Sequence, residues 1–459
     1  MTPTLLFAIA DVEAVLLPIL IQLGIIIVAA RAFGILFRKV GQPSVVGEIA
    51  AGIVLGPSVL GRGFPHAFQA VFQPAVHGAS TELLGWILTM LSQLGLIFLL
   101  FLIGLEFDFS HLRWHGRSAL AISLAGIALP FALGFGLAYF MHERVAADVA
   151  PLGFALFLGT ALSITAIPVL GRIMMELGIT RTRLGTVTIA AAAVDDALGW
   201  ILLAAIAAVV RHSFELGGTL LMVAETLGFC LLMVCVARPV LLAWARHSVR
   251  DGNVSVNTLV VLVALLFSCA IVTNLIGIFA VFGAFFLGAI LSSASEFRTA
   301  VNRRLRDFVT AFFLPIFFTC SGLRTDVASL GSGELWLLCG LVSIVAIAGK
   351  FGGCGLAAWL SGYAVREAAC IGALMNTRGL MALIVINLGK DLGVVPDSVY
   401  CMLILMALVT TAVTTPAVLR LMRGTELEPY IMNSEFIGGT KGRDRVNEET
   451  AASAHDAQC

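Results

Sequence analysis

The chain is a succession of apolar runs, each about long enough for one membrane-crossing helix, separated by short polar connections. A hydrocarbon core of about 30 Å takes roughly 20 helical residues, and lipid offers backbone N–H and C=O groups no partner, so each segment must satisfy its own. Cut at its charges, prolines and glycines, the sequence yields thirteen segments: 14–37, 43–60, 83–106, 118–141, 151–176, 184–210, 216–237, 254–274, 277–293, 307–322, 335–360, 364–389 and 398–420. Residues 83–105, 118–141 and 398–419 carry no charge at all. The uncharged run 253–295 is too long for one span, and a break is expected near 274–277. The predicted fold class is therefore an all-α polytopic membrane protein with thirteen transmembrane helices.

Composition agrees with this reading. The 459 residues are 59% hydrophobic and 12% charged, with a mean hydropathy of +1.01. A soluble chain needs about twice that charge density, so a cytosolic enzyme, a nucleic-acid binder and a disordered scaffold are all disfavoured. The 28 basic residues balance 28 acidic ones, which argues against a polyanionic partner. The nine cysteines are scattered, with no C-x-x-C pair, and read as packing residues. All histidines fall in connections or the tail, so no metal site within the membrane is expected; a pH-reporting role for His111 and His115 is a second, less economical reading. No catalytic residue, enzymatic activity or cofactor is expected.

Orientation follows from lysine and arginine. With the N-terminus outside, the outer connections hold five basic residues (Arg62, Arg144, Arg211, Arg324 and Lys390), against fifteen on the alternate, cytoplasmic connections, Arg303, Arg304 and Arg306 among them. A missed span would invert every later loop and destroy this asymmetry. The segment before Glu13 has no basic region ahead of its apolar run, so no cleaved signal is expected. Residues 424–459 are polar, mixed in charge and without a G-x-G-x-x-G or Walker motif, and are expected to form a short disordered cytoplasmic tail. Gly52 and Gly56, four residues apart, suit close helix packing.

The charges left at bilayer depth are few: Glu48, Asp195, Asp196, Glu225, Lys350 and Arg378. Each costs about 2.5–3.5 kcal/mol on insertion scales, so each asks for a functional reason. Asp195 and Asp196 are adjacent on the sixth segment and lie about 100° apart on a helix, so they need separate partners. Lys350, flanked by glycines in the eleventh segment, is a plausible partner for one of them, in a pair that a cation or proton could open; a permanent ion pair fixing helix packing is the alternative.

Two segments are interrupted. In the fifth, Pro168 cannot donate to the carbonyl of Ile164, so the helix should open around 163–167; Ser163, the Thr165 hydroxyl and the freed carbonyls would then form an oxygen-lined site for a small monovalent cation. The twelfth is interrupted at Asn376, Thr377, Arg378 and Gly379. If the seventh segment is a linker, the flanking halves have opposite topology and the fifth matches the twelfth, the pattern that marks a midplane site in secondary transporters. Arg378 could neutralise the C-terminal half-helix ends there, and Asp195 or Glu176 the N-terminal ones.

The stretches PSVVGEIAAGIVLGPSVLG, LFLLFLIGLEF, LFLGTALSITAIPVLGRIMMELG, AAAVDDALGW, the buried Lys350 and MNTRGLMALIVINLGKDLGV together resemble the monovalent cation:proton antiporter-2 family over residues 15–422. The resemblance implies an NhaA-like inverted-topology repeat with two crossed, discontinuous helices, in a homodimer. The transmembrane domain would occupy residues 1–423, with scaffold helices at 14–60 and 216–293 and an elevator-like core at 83–210 and 307–420. It implies further that Asp196 carries cation and proton, that Asp195 pairs with Lys350, and that Thr165 helps to coordinate the transported Na⁺ or K⁺, with no structural metal. Retention of both aspartates and the lysine points to electrogenic exchange, Na⁺ being favoured over K⁺, in the bacterial inner (plasma) membrane. A same-fold organic-anion symporter and a non-transporting sensor are rival readings, and both should lack the Asp195, Asp196 and Lys350 set.

Overall fold

A computed structural model describes residues 12–40, 42–74, 81–106, 116–177, 179, 182–211, 216–250, 252–277, 280–423 and 428. The expectations for the N-terminal leader, for His111 and His115 and for the tail lie outside the described residues. Apart from one two-stranded hairpin, the regular structure among the described residues is helical. In chain order the helices are α1 (Val12–Lys39), α2 (Ser44–Leu55), the short α3 (Leu60–Gly63) and α4 (Pro65–Phe72), α5 (Thr81–Glu106), α6 (Gly116–Val145), α7 (Pro151–Ser163), α8 (Ile167–Glu176), α9 (Arg183–Arg211), α10 (Leu216–Leu232) and α11 (Arg238–His247). After the hairpin of β1 (Val249–Arg250) and β2 (Asn253–Val254) come α12 (Val256–Ile276), α13 (Ala280–Leu291), α14 (Ser295–Phe308), α15 (Leu314–Leu323), α16 (Gly333–Leu360), α17 (Val365–Met375), α18 (Leu380–Asp391) and α19 (Asp397–Leu421).

Among the described residues, ten helical stretches are long and apolar enough to cross a membrane. The other three expected segments are built differently. Residues 151–176 and 364–389 are each two shorter helices, α7–α8 and α17–α18, while 277–293 contains the twelve-residue α13. The break expected near 274–277 is observed: α12 starts on Ser255, whose hydroxyl accepts the Thr258 N–H, and stops at Gly277, whose φ of +100° suits glycine. Two helical stretches widen into single π-turns, at Met233–Ala237 and Val309–Phe313. Each lies just ahead of a proline, Pro239 and Pro315, whose missing N–H disturbs the ladder there.

The surface is inverted relative to a soluble protein. Leu275 and Leu337 are 80% and 76% exposed, whereas Asp195, Lys350, Thr165 and Arg378 are buried. Hydrocarbon tolerates the first group and the protein interior must satisfy the second. Close helix contacts come from small residues, as a bilayer interior favours. Gly52 of α2 faces the backbone of Thr319 and Gly322 on α15, Gly104 and Gly288 join α5 to α13, and Gly349 and Gly353 of α16 lie against Pro130 and Ala125 of α6. The last contact brings the buried lysine of α16 toward α9, which also packs on α6.

Candidate functional site

The two interrupted helices meet in the interior. α7 ends at Ser163, Ile164 is extended, and the helix resumes at Ile167; α17 ends at Met375 and α18 begins at Leu380. A carbonyl at position 162 would ordinarily accept the N–H of residue 166. Here the Ala166 N–H instead donates to the Thr377 carbonyl across the gap at 3.1 Å. The Thr165 hydroxyl donates to the Met375 carbonyl at 3.1 Å, stitching the two breaks a second time. Gly379 is required by proximity: a Cβ there would lie 2.8 Å from Val169 Cγ2 and 3.0 Å from Ala166 Cβ.

Arg378 fills the gap. Its guanidinium, 1% exposed, donates through Nη1 to the Ile164 carbonyl and through Nη2 to the Leu162 carbonyl. The Ile164 carbonyl is the one that Pro168 cannot serve. Both acceptors lie at the C-terminal end of α7, where the helix dipole places partial negative charge, so a planar fork with five N–H donors is suited to the position. Freed carbonyls, expected to stand open for a cation, are thus engaged by this arginine. The same remedy recurs in α19: Pro416 leaves the Ala412 carbonyl without its helical donor, and Gln42 Nε2 supplies one at 3.3 Å.

Asp195 lies on the opposite side of the first break. Its Oδ2 accepts the Thr165 N–H at 2.8 Å, ahead of the α8 N-terminus, and Lys350 Nζ stands 3.0 Å from both carboxylate oxygens. Lysine and aspartate side chains are wholly inaccessible. A buried ion pair must be compact and further hydrogen-bonded to offset its desolvation, and both conditions are met. Asp196, its neighbour on α9, is 2% exposed, and its Oδ1 has no hydrogen-bond partner among the described residues. Of the two adjacent carboxylates, one is therefore bound by the protein and the other holds an oxygen in reserve. Ser163 is buried and donates to the Thr160 carbonyl at 2.9 Å. Asn376 and Thr377 are also buried, Thr377 bonding back to the Leu374 carbonyl at 3.0 Å. The side chains of Pro168 and Glu176 lie outside the described residues.

Residues 25–423 match the family described as "sodium/hydrogen exchanger, transmembrane". The chain belongs to this family. Among its relatives, the chain is 39% identical over 410 residues to the Na(+)/H(+) antiporter NhaS4 of Synechocystis, covering 88% of this chain and 97% of that one. Over 419 residues it is 38% identical to Cation/H(+) antiporter 20 of Arabidopsis thaliana, with 88% of this chain covered; the chain spans about half (48%) of that plant relative's length. In fold it resembles the sodium proton antiporter MjNhaP1 of Methanocaldococcus jannaschii, with a TM-score of 0.64, 16% identity, and coverage of 89% of this chain and 99% of that one.

Three polar contacts escaped the sequence reading, and the first of them belongs to the site. Thr411 on α19 bonds to both the N–H and the carbonyl of Arg378, Gln42 serves the proline-freed carbonyl, and Asn387 of α18 joins Tyr400 of α19 and Ser321 of α15 in a buried polar cluster. The signal for the first was present: Thr410, Thr411, Thr414 and Thr415 recur at helical spacing in a span without any charge.

Proposed function

We propose that this protein exchanges a monovalent cation for protons across a membrane, with Asp196 as the shared carrier. The observation that carries the proposal is the division of labour between adjacent buried carboxylates: Asp195 is held by Lys350 and the Thr165 N–H, while Asp196 keeps an unpartnered Oδ1 beside the meeting of two broken helices. A buried carboxylate is expensive to leave bare, so a proton or a small cation completes it, and the two compete for one place. Thr165, which donates its hydroxyl proton to Met375, keeps lone pairs free to coordinate the ion alongside Asp196. Competition alone couples the fluxes, because the loaded site crosses and the bare one is held back by the low-dielectric barrier.

The remaining assignments belong to the same reading. The thirteen segments form two inverted halves whose crossed, discontinuous helices lie in a core that moves as an elevator against the scaffold helices of a homodimer. Sodium is the favoured cation, in keeping with the name of the Synechocystis relative; the plant relative's name leaves the cation open, and potassium is the second reading. Exchange is electrogenic, driven by ~2.3 kcal/mol per charge per 100 mV, in the plasma membrane with the N-terminus outside. An intact Asp195, Asp196 and Lys350 set argues against both the organic-anion symporter and the non-transporting sensor.

Proteoliposomes with Na⁺, Li⁺, K⁺ and Rb⁺ titrated across pH test this directly. Cation-dependent proton movement should vanish in Asp196→Asn while the variant still folds. Persistence of that movement would sink the carrier assignment.

A further inference from the structure

The four buried threonines of α19 do not behave alike. Thr410 and Thr414 turn their hydroxyls back to their own helix, onto the Ala407 carbonyl at 3.2 Å and the Thr410 carbonyl at 2.9 Å, as threonines in apolar helices commonly do. Thr411, 1% exposed, reaches out of its helix instead. Its Oγ1 accepts the Arg378 N–H at 3.0 Å and donates to the Arg378 carbonyl at 2.7 Å. One hydroxyl thus satisfies both backbone polar groups of a single residue in the middle of a helix break, where no helical partner exists for either.

We propose that Thr411 is the positioning residue of the exchanger site: by clamping the Arg378 backbone to the unbroken α19, it aims the guanidinium at the C-terminal end of α7. The reasoning is geometric. Arg378 belongs to neither α17 nor α18, so those helices alone do not fix its backbone. Its two side-chain contacts, to Ile164 and Leu162, lie on the other broken segment. A reference that is itself continuous must hold the arginine, and Thr411 is the described side chain bonded to its backbone. Through Arg378 the clamp reaches the segment that presents the Thr165 N–H to Asp195. Thr411 touches neither carboxylate, and its influence on transport, which rests on the exchange reading above, passes through Arg378.

The test uses the full-length protein and two variants. Thr411→Val keeps the shape and removes the hydroxyl, whereas Thr411→Ser keeps the hydroxyl. Hydrogen exchange followed by mass spectrometry should report about tenfold or faster exchange in residues 162–167 and 376–380 of Thr411→Val, the size expected for two lost hydrogen bonds, with α12 unchanged. Thr411→Ser should restore the parental rates. In proteoliposomes Thr411→Val should lower exchange about tenfold and move its pH profile, and Thr411→Ser should recover both. In an Arg378→Gln background the valine substitution should add little, because the two residues act in series. Unchanged exchange at the breaks, equal impairment in the serine variant, or full additivity with Arg378→Gln would each overturn the proposal. If the parent protein moves no alkali cation at any pH, the exchange reading fails, and Thr411 is judged on hydrogen exchange alone.

Discussion

Replacing Lys350 by methionine should expose the cost of the carboxylate that it faces. Lys350 Nζ lies 3.0 Å from both oxygens of Asp195, and neither side chain is accessible. At an effective dielectric constant of about 20, that separation corresponds to roughly 5 kcal/mol of attraction, most of which offsets the desolvation of the two ions. Removing the lysine leaves Asp195 with the Thr165 N–H as its one described hydrogen-bond donor, and breaking a buried pair in this way costs about 3–5 kcal/mol. An unfolding entropy of about 2.1 cal/mol/K per residue gives about 1 kcal/mol/K for this chain, so the melting temperature should fall by roughly 3–5 °C. Differential scanning fluorimetry in detergent at neutral pH measures it. The double variant Asp195→Asn, Lys350→Met should recover most of the loss, because the neutral amide needs no counter-charge and still accepts the Thr165 N–H. A Lys350→Met protein that melts within about 1 °C of the parent, or a double variant less stable than Lys350→Met alone, would refute the argument.

Two further outcomes follow from packing and polar satisfaction. Gly288→Ala would place a methyl against the Phe101 carbonyl and 2.8 Å from the Leu105 nitrogen, so it should cost about 1–3 kcal/mol by forcing α5 and α13 apart; Gly24→Ala, with nothing within 4 Å, is the neutral control in the same melting assay. Tyr400→Phe removes a buried hydroxyl that donates to the Ser321 carbonyl at 2.9 Å and lies 3.0 Å from Asn387 Oδ1, and it should lower stability by about 1–3 kcal/mol without moving the cation preference measured in proteoliposomes.

Much of the architecture is legible in the sequence because lipid imposes simple rules. Length, hydropathy and a few breakers locate the helical segments, including the division of the 253–295 run at Gly277, whose positive φ ends α12. Pro168 marks one interruption, since a missing N–H has a fixed consequence for the carbonyl four residues earlier. Lys350 and the aspartate pair stand out because charge in hydrocarbon is costly wherever it sits. Less legible is what each freed group finds. The carbonyls freed at the fifth-segment break were expected to line a cation site, with Arg378 near the C-terminal half-helix ends; in the fold the carbonyls of residues 162 and 164 are themselves taken by Arg378, more than two hundred positions away, and Gln42 serves Ala412 across 370 positions.

The sequence by itself determined the class of protein, the approximate helices, the two breaks and the short set of groups that cannot be idle in a membrane. Tertiary structure decided the contacts of that set: Lys350 Nζ meets both oxygens of Asp195, the pairing that the family resemblance implied, Asp196 keeps a free oxygen, Arg378 binds the two carbonyls at the end of α7, and Thr411 holds the Arg378 backbone. The physical reason is that insertion cost depends on composition along the chain and is local, whereas a buried charge or hydroxyl is satisfied by whichever donor or acceptor folding brings within about 3 Å.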